Sequence, residues 1–252
     1  MTLAPPVPER VQLCGPLVAE LGGERVEARL PGRQGRLLFA YLTLNRHRTS
    51  SRDELVEAVW GDQHAASSGT GLNPLISKVR RCLGPEVLDG RTNLRLRLSQ
   101  RAWVDVEAAE QAVHRAESRV ALGQWGLAWG PALSALFISE RTLLPGEDTP
   151  WLTERRARLD GIHLRALEAY AAAALAIGGT ELAAAIRCGR QLVHLAPLHE
   201  SGYQVLMRAL AAKGDAAEAL TVYAELSRTL RQQLGVSPSP ATQAVFESLL
   251  RA

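Results

Sequence analysis

The chain is poor in lysine, cysteine and aromatic side chains. Of its 29 basic residues only Lys78 and Lys213 are lysine; the others are arginine. Cys14, Cys82 and Cys188 are odd in number and far apart, which excludes a disulfide framework and suits a reducing compartment. Aromatic residues make up 5% of the 252, and with so much alanine this favours closely packed helices over a large sheet. No apolar run approaches the ~20 residues of a membrane span. The N-terminal stretch Met1–Arg10 has three prolines and lacks the apolar segment of a signal peptide. These absences point to a cytoplasmic protein with no membrane partner.

Catalytic signatures are missing as well. There is no Gly-Lys-Ser/Thr phosphate loop, and Gly69-Thr70-Gly71 lacks the further glycine of a dinucleotide loop. His194 and His199 flank Pro197 and do not have the i,i+4 spacing of a helical zinc site. Glu147 and Asp148 lie in a Pro-Gly turn before a helix start, where turn and capping roles outweigh paired acid–base chemistry. No enzyme, cofactor or metal site is expected.

Charge is unevenly spread. Residues 1–104 carry a net +5 and residues 105–252 a net −2. The excess lies within residues 73–101, where Lys78, Arg80, Arg81, Arg91, Arg95, Arg97 and Arg101 face only Glu86 and Asp89. A field of one sign confined to one stretch suggests a polyanionic partner.

Local patterning gives this stretch a shape. Val11–Leu13 and Arg25–Leu30 read as short strands, with Gly22-Gly23 as a hairpin turn. After Pro31-Gly32, apolar residues from Leu37 to Leu44 describe a helix ending near Asn45. Ser51 and Glu54 form a capping box that opens a second helix, which Gly61 closes.

The loop Asp62–Gly71 leads to a third helix through Arg81. It begins either at Pro74 with Asn73 as cap, or near Ser68 with a bend. Leu72, Leu75, Ile76, Val79, Cys82 and Leu83 gather on one side of it, with Thr70, Pro74, Ser77, Lys78 and Arg81 opposite. Val87-Leu88, the polar tip Asp89–Asn93 and alternating Leu94–Leu98 then make a basic hairpin.

Strands, three helices and a basic hairpin read as a winged helix-turn-helix. A helix fits the DNA major groove, and flanking cations neutralise phosphates. The candidate DNA-binding residues are Asn73, Ser77, Lys78, Arg80 and Arg81 on the helix, with Arg91, Thr92, Asn93 and Arg95 on the hairpin.

From Val104 onward the chain reads as almost all helix, broken at Gly123, Pro145-Gly146, Gly178-Gly179, Pro197, Gly214 and Gly235. At a lag of 34, Ala176 matches Leu210, Ala185 matches Ala219 and Leu192 matches Leu226. Gly214-Asp215-x-x-Glu218-Ala219-Leu220-x-x-Tyr223 is close to a tetratricopeptide turn and second helix, and Gly123–Ala128 fits more loosely. Stacked helical pairs make a concave binding surface. Thr149 reads as a helix cap before Pro150, and the five tryptophans as core or inter-repeat packing.

The stretches Ser51–Gly61 and Leu75–Gly84, with Val104-Asp105-Val106, Leu144–Asp148 and Gly214–Pro240, resemble the SARP/AfsR family of transcriptional activators in collinear order. The resemblance implies a mainly α chain: an OmpR-type winged helix over 1–104 with small β-sheets, then a tetratricopeptide-like bacterial transcriptional activator domain over 105–252. It implies binding to direct repeats in double-stranded DNA near a promoter, often of secondary-metabolite genes, and recruitment of RNA polymerase.

By position the third helix corresponds to the recognition helix and Arg91–Arg95 to the wing. Gly61–Ser68, with Asp62, Gln63 and His64, corresponds to the polymerase-facing loop. Gly69, Gly71 and Pro74 depart from the better helix formers of the family. The helical repeats are expected to mediate self-association as a homodimer or partner contact. The rival readings are a protein-interaction scaffold and a ligand sensor, each with a winged helix that no longer reads DNA.

Overall fold

The computed structural model describes residues 9–61, 69–84 and 86–251. Strands Arg10–Gln12 (β1), Val18–Leu21 (β2) and Glu24–Arg25 (β3) precede helix Gly32–Leu44 (α1), strand Ser50–Ser51 (β4) and helices Arg52–Trp60 (α2) and Gly69–Leu83 (α3). Next come Leu88–Asp89 (β5), Asn93–Leu96 (β6) and Trp103–Val104 (β7). The rest is helical: Asp105–Ala121 (α4), Trp125–Ser139 (α5), Pro150–Ile177 (α6), Leu182–Leu195 (α7), Glu200–Lys213 (α8), Ala216–Leu234 (α9) and Pro240–Leu250 (α10). A winged helix-turn-helix with small sheets thus precedes an all-α part of tetratricopeptide-like pairs.

The chain forms two compact units. One runs to Ala108 and includes Arg141–Leu159; the other is Ala109–Glu140 with the chain from Asp160 onward. Arg141–Leu159 lies beyond residue 104, where the sequence placed the domain division, yet it packs with the first unit. Backbone pairing explains this: Cys14 bridges Leu143, Gly15 N–H donates to Thr142 O (2.8 Å) and Leu144 N–H donates to Leu13 O (2.9 Å). Trp151 adds an indole N–H bond to Ala58 O (2.9 Å) and an edge-on contact with Tyr41.

In the first unit the sheet order is β3-β2-β1-β7, with β1 antiparallel to β2 and parallel to β7. The expected strand Arg25–Leu30 ends after Arg25, and Glu27–Arg29 is a 3-10 turn. Glu27 turns its carboxylate back to accept from Ala19 N–H and Arg25 Nε–H, so Val26 and Leu30 are buried by a turn rather than by a pleat. β2, β4 and β7 carry no pattern that set them apart in the sequence.

Asp105, fully buried, ties the end of β1 to the start of α4. Its Oδ2 accepts from Leu13 N–H (2.9 Å) and Cys14 N–H (2.8 Å), and its Oδ1 accepts from Val106 N–H (2.8 Å). Burial raises its pKa above the ordinary aspartate value, while the three N–H donors and the Arg141 guanidinium pull the other way.

Nearby, Arg156 donates to the carbonyls of Leu143, Leu144 and Glu147. These bonds hold Leu144 at φ 43°, a backbone region that costs a branched residue energy. Thr149 does not cap α6 with its side chain: its Oγ1 is buried and has no partner among the described residues, and its carbonyl accepts the first-turn bond from Leu152 instead.

The second unit has a continuous core from Ala116 and Ala132 through Leu167, Tyr170, Ile186, Tyr203, Met207, Leu210 and Leu226 to Val245. The helix breaks fall where the glycines and prolines placed them. Two of the three lag-34 pairs share burial: Ala185 with Ala219 and Leu192 with Leu226. Ala176 is exposed while Leu210 is buried. The cause is a longer turn: α7 and α9 start 34 residues apart, but α6 ends at Ile177 and α8 at Lys213. First-helix positions are therefore offset by two. The tryptophans are half-buried: Trp129 packs against the core of the second unit, as the inter-repeat reading expected, and Trp103 lies under the Arg10 guanidinium, 5.1 Å from the ring centroid.

α7 and α8 approach through reciprocal glycines. A Cβ at Gly189 would stand 2.9 Å from Leu206 Cβ, and one at Gly202 would stand 2.7 Å from Leu192 Cβ.

Two outcomes are expected in urea unfolding. Asp105→Ala, which strands three amide N–H groups, lowers stability by about 3 kcal/mol or more. Gly202→Ala lowers it by about 1–2 kcal/mol, because overpacking outweighs the gain in helix propensity.

Candidate nucleic-acid interface

The capping box is formed as the spacing required. Ser51 Oγ accepts from Glu54 N–H (3.2 Å), and Glu54 Oε2 accepts from Ser51 N–H (3.0 Å). It fixes the start of α2 and, through β4, the edge on which β6 lies, with Ser50 opposite Leu94 and Ser51 opposite Asn93.

α3 starts at Gly69, so the second of the two expected starts is the closer one. Pro74 sits inside the helix as its sixth residue and cannot donate to the carbonyl of Thr70. Leu72, Leu75, Ile76, Val79 and Leu83 are buried, whereas Asn73, Pro74, Ser77, Lys78 and Arg81 are exposed. Cys82, placed by the wheel on the apolar side, is half-buried and donates its thiol to Arg29 O.

The wing is a tight hairpin whose turn depends on one glycine. Gly90 has φ +92°, and a Cβ there would collide with the Asn93 carbonyl oxygen. On β6 the alternation holds: Leu94 and Leu96 are fully buried, and Asn93 and Arg95 are exposed, as is Arg97 just after the strand. Arg97 pairs with Asp89 (2.6 Å), which holds that carboxyl below its usual range. Arg95 Nε–H donates to Arg46 O (2.9 Å).

The structure gives two of the nearby arginines distinct jobs. Arg80 does not face outward with its neighbours: its guanidinium is half-buried and donates to the carbonyls of Leu88 (3.2 Å) and Gly90, tying α3 to the hairpin. Arg52, which the sequence did not single out, opens α2 and reaches both elements. It donates to the Arg91 carbonyl (2.8 Å) and to the Asn73 side-chain oxygen. No local pattern marks Arg52, because its acceptors lie 39 and 21 residues away.

Asn73, Ser77, Lys78, Arg81, Arg91, Thr92, Asn93 and Arg95 all have exposed side chains. Of the seven cations in residues 73–101, Arg97 alone is ion-paired among the described residues. Elsewhere in the unit several cations are matched, among them Arg46 with Glu107 (2.7 Å), Arg48 with Glu54 (2.9 Å) and Arg33 with Glu147 (2.6 Å). An exposed polar helix face beside a hairpin that carries Arg91 and Arg95 without ion pairs among the described residues can hold phosphates and hydrogen-bond base edges. Asp62, Gln63 and His64 lie outside the described residues. Among the described residues no group of three or more His, Cys, Asp or Glu is placed to hold a metal ion, and no helix is long and apolar enough to cross a membrane.

Residues 104–250 match the family described as bacterial transcriptional activator domain. The chain belongs to this family. Among activator-domain relatives, regulatory protein AfsR of Streptomyces griseus is 30% identical over 254 residues, covering 96% of this chain and 24% of AfsR. Regulatory protein DnrI of Streptomyces peucetius is 28% identical over 96% of this chain and 92% of DnrI. The chain thus spans about a quarter of the AfsR relatives but nearly all of DnrI. The structure of Mycobacterium tuberculosis EmbR in complex with a low affinity phosphopeptide superposes with a TM-score of 0.83 at 24% identity, over 96% of this chain and 65% of that one. It shows the same fold. The likeness to SARP/AfsR activators seen in the sequence is borne out.

Arg52→Ala is expected to free the wing tip. Amide exchange along β6, Asn93–Leu96, speeds up at least tenfold while global stability changes by under ~1 kcal/mol, as for a local opening. Arg52→Lys does not restore protection, because an ammonium lacks the fork that spans both acceptors.

Proposed function

We propose that this protein is a sequence-specific, DNA-binding transcriptional activator acting at pathway-specific or secondary-metabolite promoters. α3 enters the major groove of a direct-repeat site, and Asn73, Ser77, Lys78 and Arg81 meet bases or phosphates there. Arg91, Thr92, Asn93 and Arg95 on the wing contact the adjacent backbone. Arg80 and Arg52 set the wing against the helix. The observation that carries this reading is the contrast on α3: one face fully engaged in the core, the other polar, exposed and without ion pairs among the described residues. Membership of the activator-domain family supports the regulatory role. RNA polymerase is the proposed partner of the Asp62–Gln63–His64 loop, and the helical repeats are proposed to serve self-association or partner contact.

Fluorescence anisotropy with duplex DNA from upstream of its own gene tests the reading. Affinity is expected to fall steeply with salt, with log K decreasing by about 0.9 per phosphate contact for each decade of salt. Lys78→Ala and Arg81→Ala each flatten that slope by about one contact, or cost about 1–3 kcal/mol at one base position if the side chain reads a base. Unchanged binding in both variants refutes the assignment. Asp62→Ala should keep DNA affinity and lose activation in a reconstituted transcription reaction.

A further inference from the structure

We propose that the trough between α9 and α10 is a docking site for an acidic, amphipathic segment of a partner protein. This surface lies in the second unit and is separate from the winged helix. The trough has a volume of about 560 Å³ and runs along α9 from Leu220 to Gln232, with Phe246 of α10 on its far wall. That stretch of helix is about 18 Å long, enough to receive some three turns of a helical segment.

Three observations define what the trough accepts. First, its wall is aromatic: Tyr223 and Phe246 stack with ring centroids 4.0 Å apart and planes 14° from parallel, and both are half-buried. Second, its charge has one sign. Among the described residues Arg228 and Arg231, one turn apart and exposed, are the charged residues lining it, and no carboxylate does. Neither arginine has an ion pair among the described residues, although Glu218, earlier on the same helix, is paired with Arg190 at 2.7 Å. Third, the apolar surface continues along this helix face beyond the arginines, where Leu234 is 55% exposed.

Aromatic and arginine side chains with no lysine, aspartate or glutamate are the composition of a protein-interface core. An open trough with an apolar wall suits an amphipathic helix laid into a groove. Charge complementarity requires acidic residues on the occupant, placed to meet the two guanidiniums while its apolar side covers the Tyr223–Phe246 stack.

The test uses the full chain and two fluorescein-labelled synthetic 12-residue peptides. One carries Leu and Phe at i,i+3,i+4 spacing on a glutamate background, and the other has lysine in place of every glutamate. Anisotropy should show saturable binding of the acidic peptide alone. The double variant Arg228→Glu/Arg231→Glu, both exposed positions, should weaken it at least tenfold with an unchanged melting temperature. Phe246→Ala should weaken it as well. Lys78→Ala/Arg81→Ala should bind the peptide like the wild type, and excess duplex DNA should not displace it. The proposal is overturned if neither peptide saturates, if both bind alike, if the double arginine variant binds normally, or if DNA or the Lys78/Arg81 variant removes the signal.

Discussion

A carboxylate shut away from water holds the first unit together. Asp105 accepts from the backbone of Leu13 and Cys14 at the end of β1 and caps its own helix at Val106. A buried charge is tolerated only when its lone pairs are met by donors. Here the donors are main-chain groups that would otherwise be unsatisfied themselves. The same short stretch, Leu13–Gly15, also receives the returning chain at Thr142–Leu144. One side chain therefore fixes the place where β1, the start of α4 and the segment leading into α6 converge.

The winged helix rests on that frame. With α1, α2 and α3 turning their apolar faces inward, the polar face of α3 is left exposed, and Asn73 on it takes the Arg52 guanidinium. Its uncompensated charge follows from where the carboxylates went: Glu54 to the α2 cap and Arg48, Glu107 to Arg46, and Glu147 to Arg33. Acidic residues are spent on architecture around the interface and are nearly absent from it. In the second unit the logic is steric. Reciprocal glycines on α7 and α8 let two helices meet closely, and an alanine-rich core fills what remains.

Much of this was legible in the sequence because the signals were local. The Ser51–Glu54 box, the Leu/Arg alternation on the wing and the glycine breaks between the later helices act over a few residues, and each stands where it was read. The strands β2, β4 and β7 were not legible. β4 and β7 have two residues each and exist only because a distant strand pairs with them. The start of α3 was ambiguous because a proline argued against the helix that tertiary packing of Leu72, Leu75 and Ile76 nevertheless extends to Gly69. The roles of Arg52 and Arg80 were hidden for a related reason: a guanidinium reaching a carbonyl across the fold leaves no trace in residue spacing. Arg80 looked like one more cation in a basic stretch, and only its half-buried setting separates it from Arg81.

The choice of acceptor for those two arginines has an electrostatic consequence. A carboxylate would have anchored each guanidinium and cancelled it. Peptide oxygens and an amide anchor it with dipoles alone, so the flap is fastened while its full formal positive charge survives. The fastening is also indifferent to acidity across the physiological range, since neither acceptor titrates there. Rigidity and attraction for an anion, usually in competition at a protein surface, are obtained here from the same side chains.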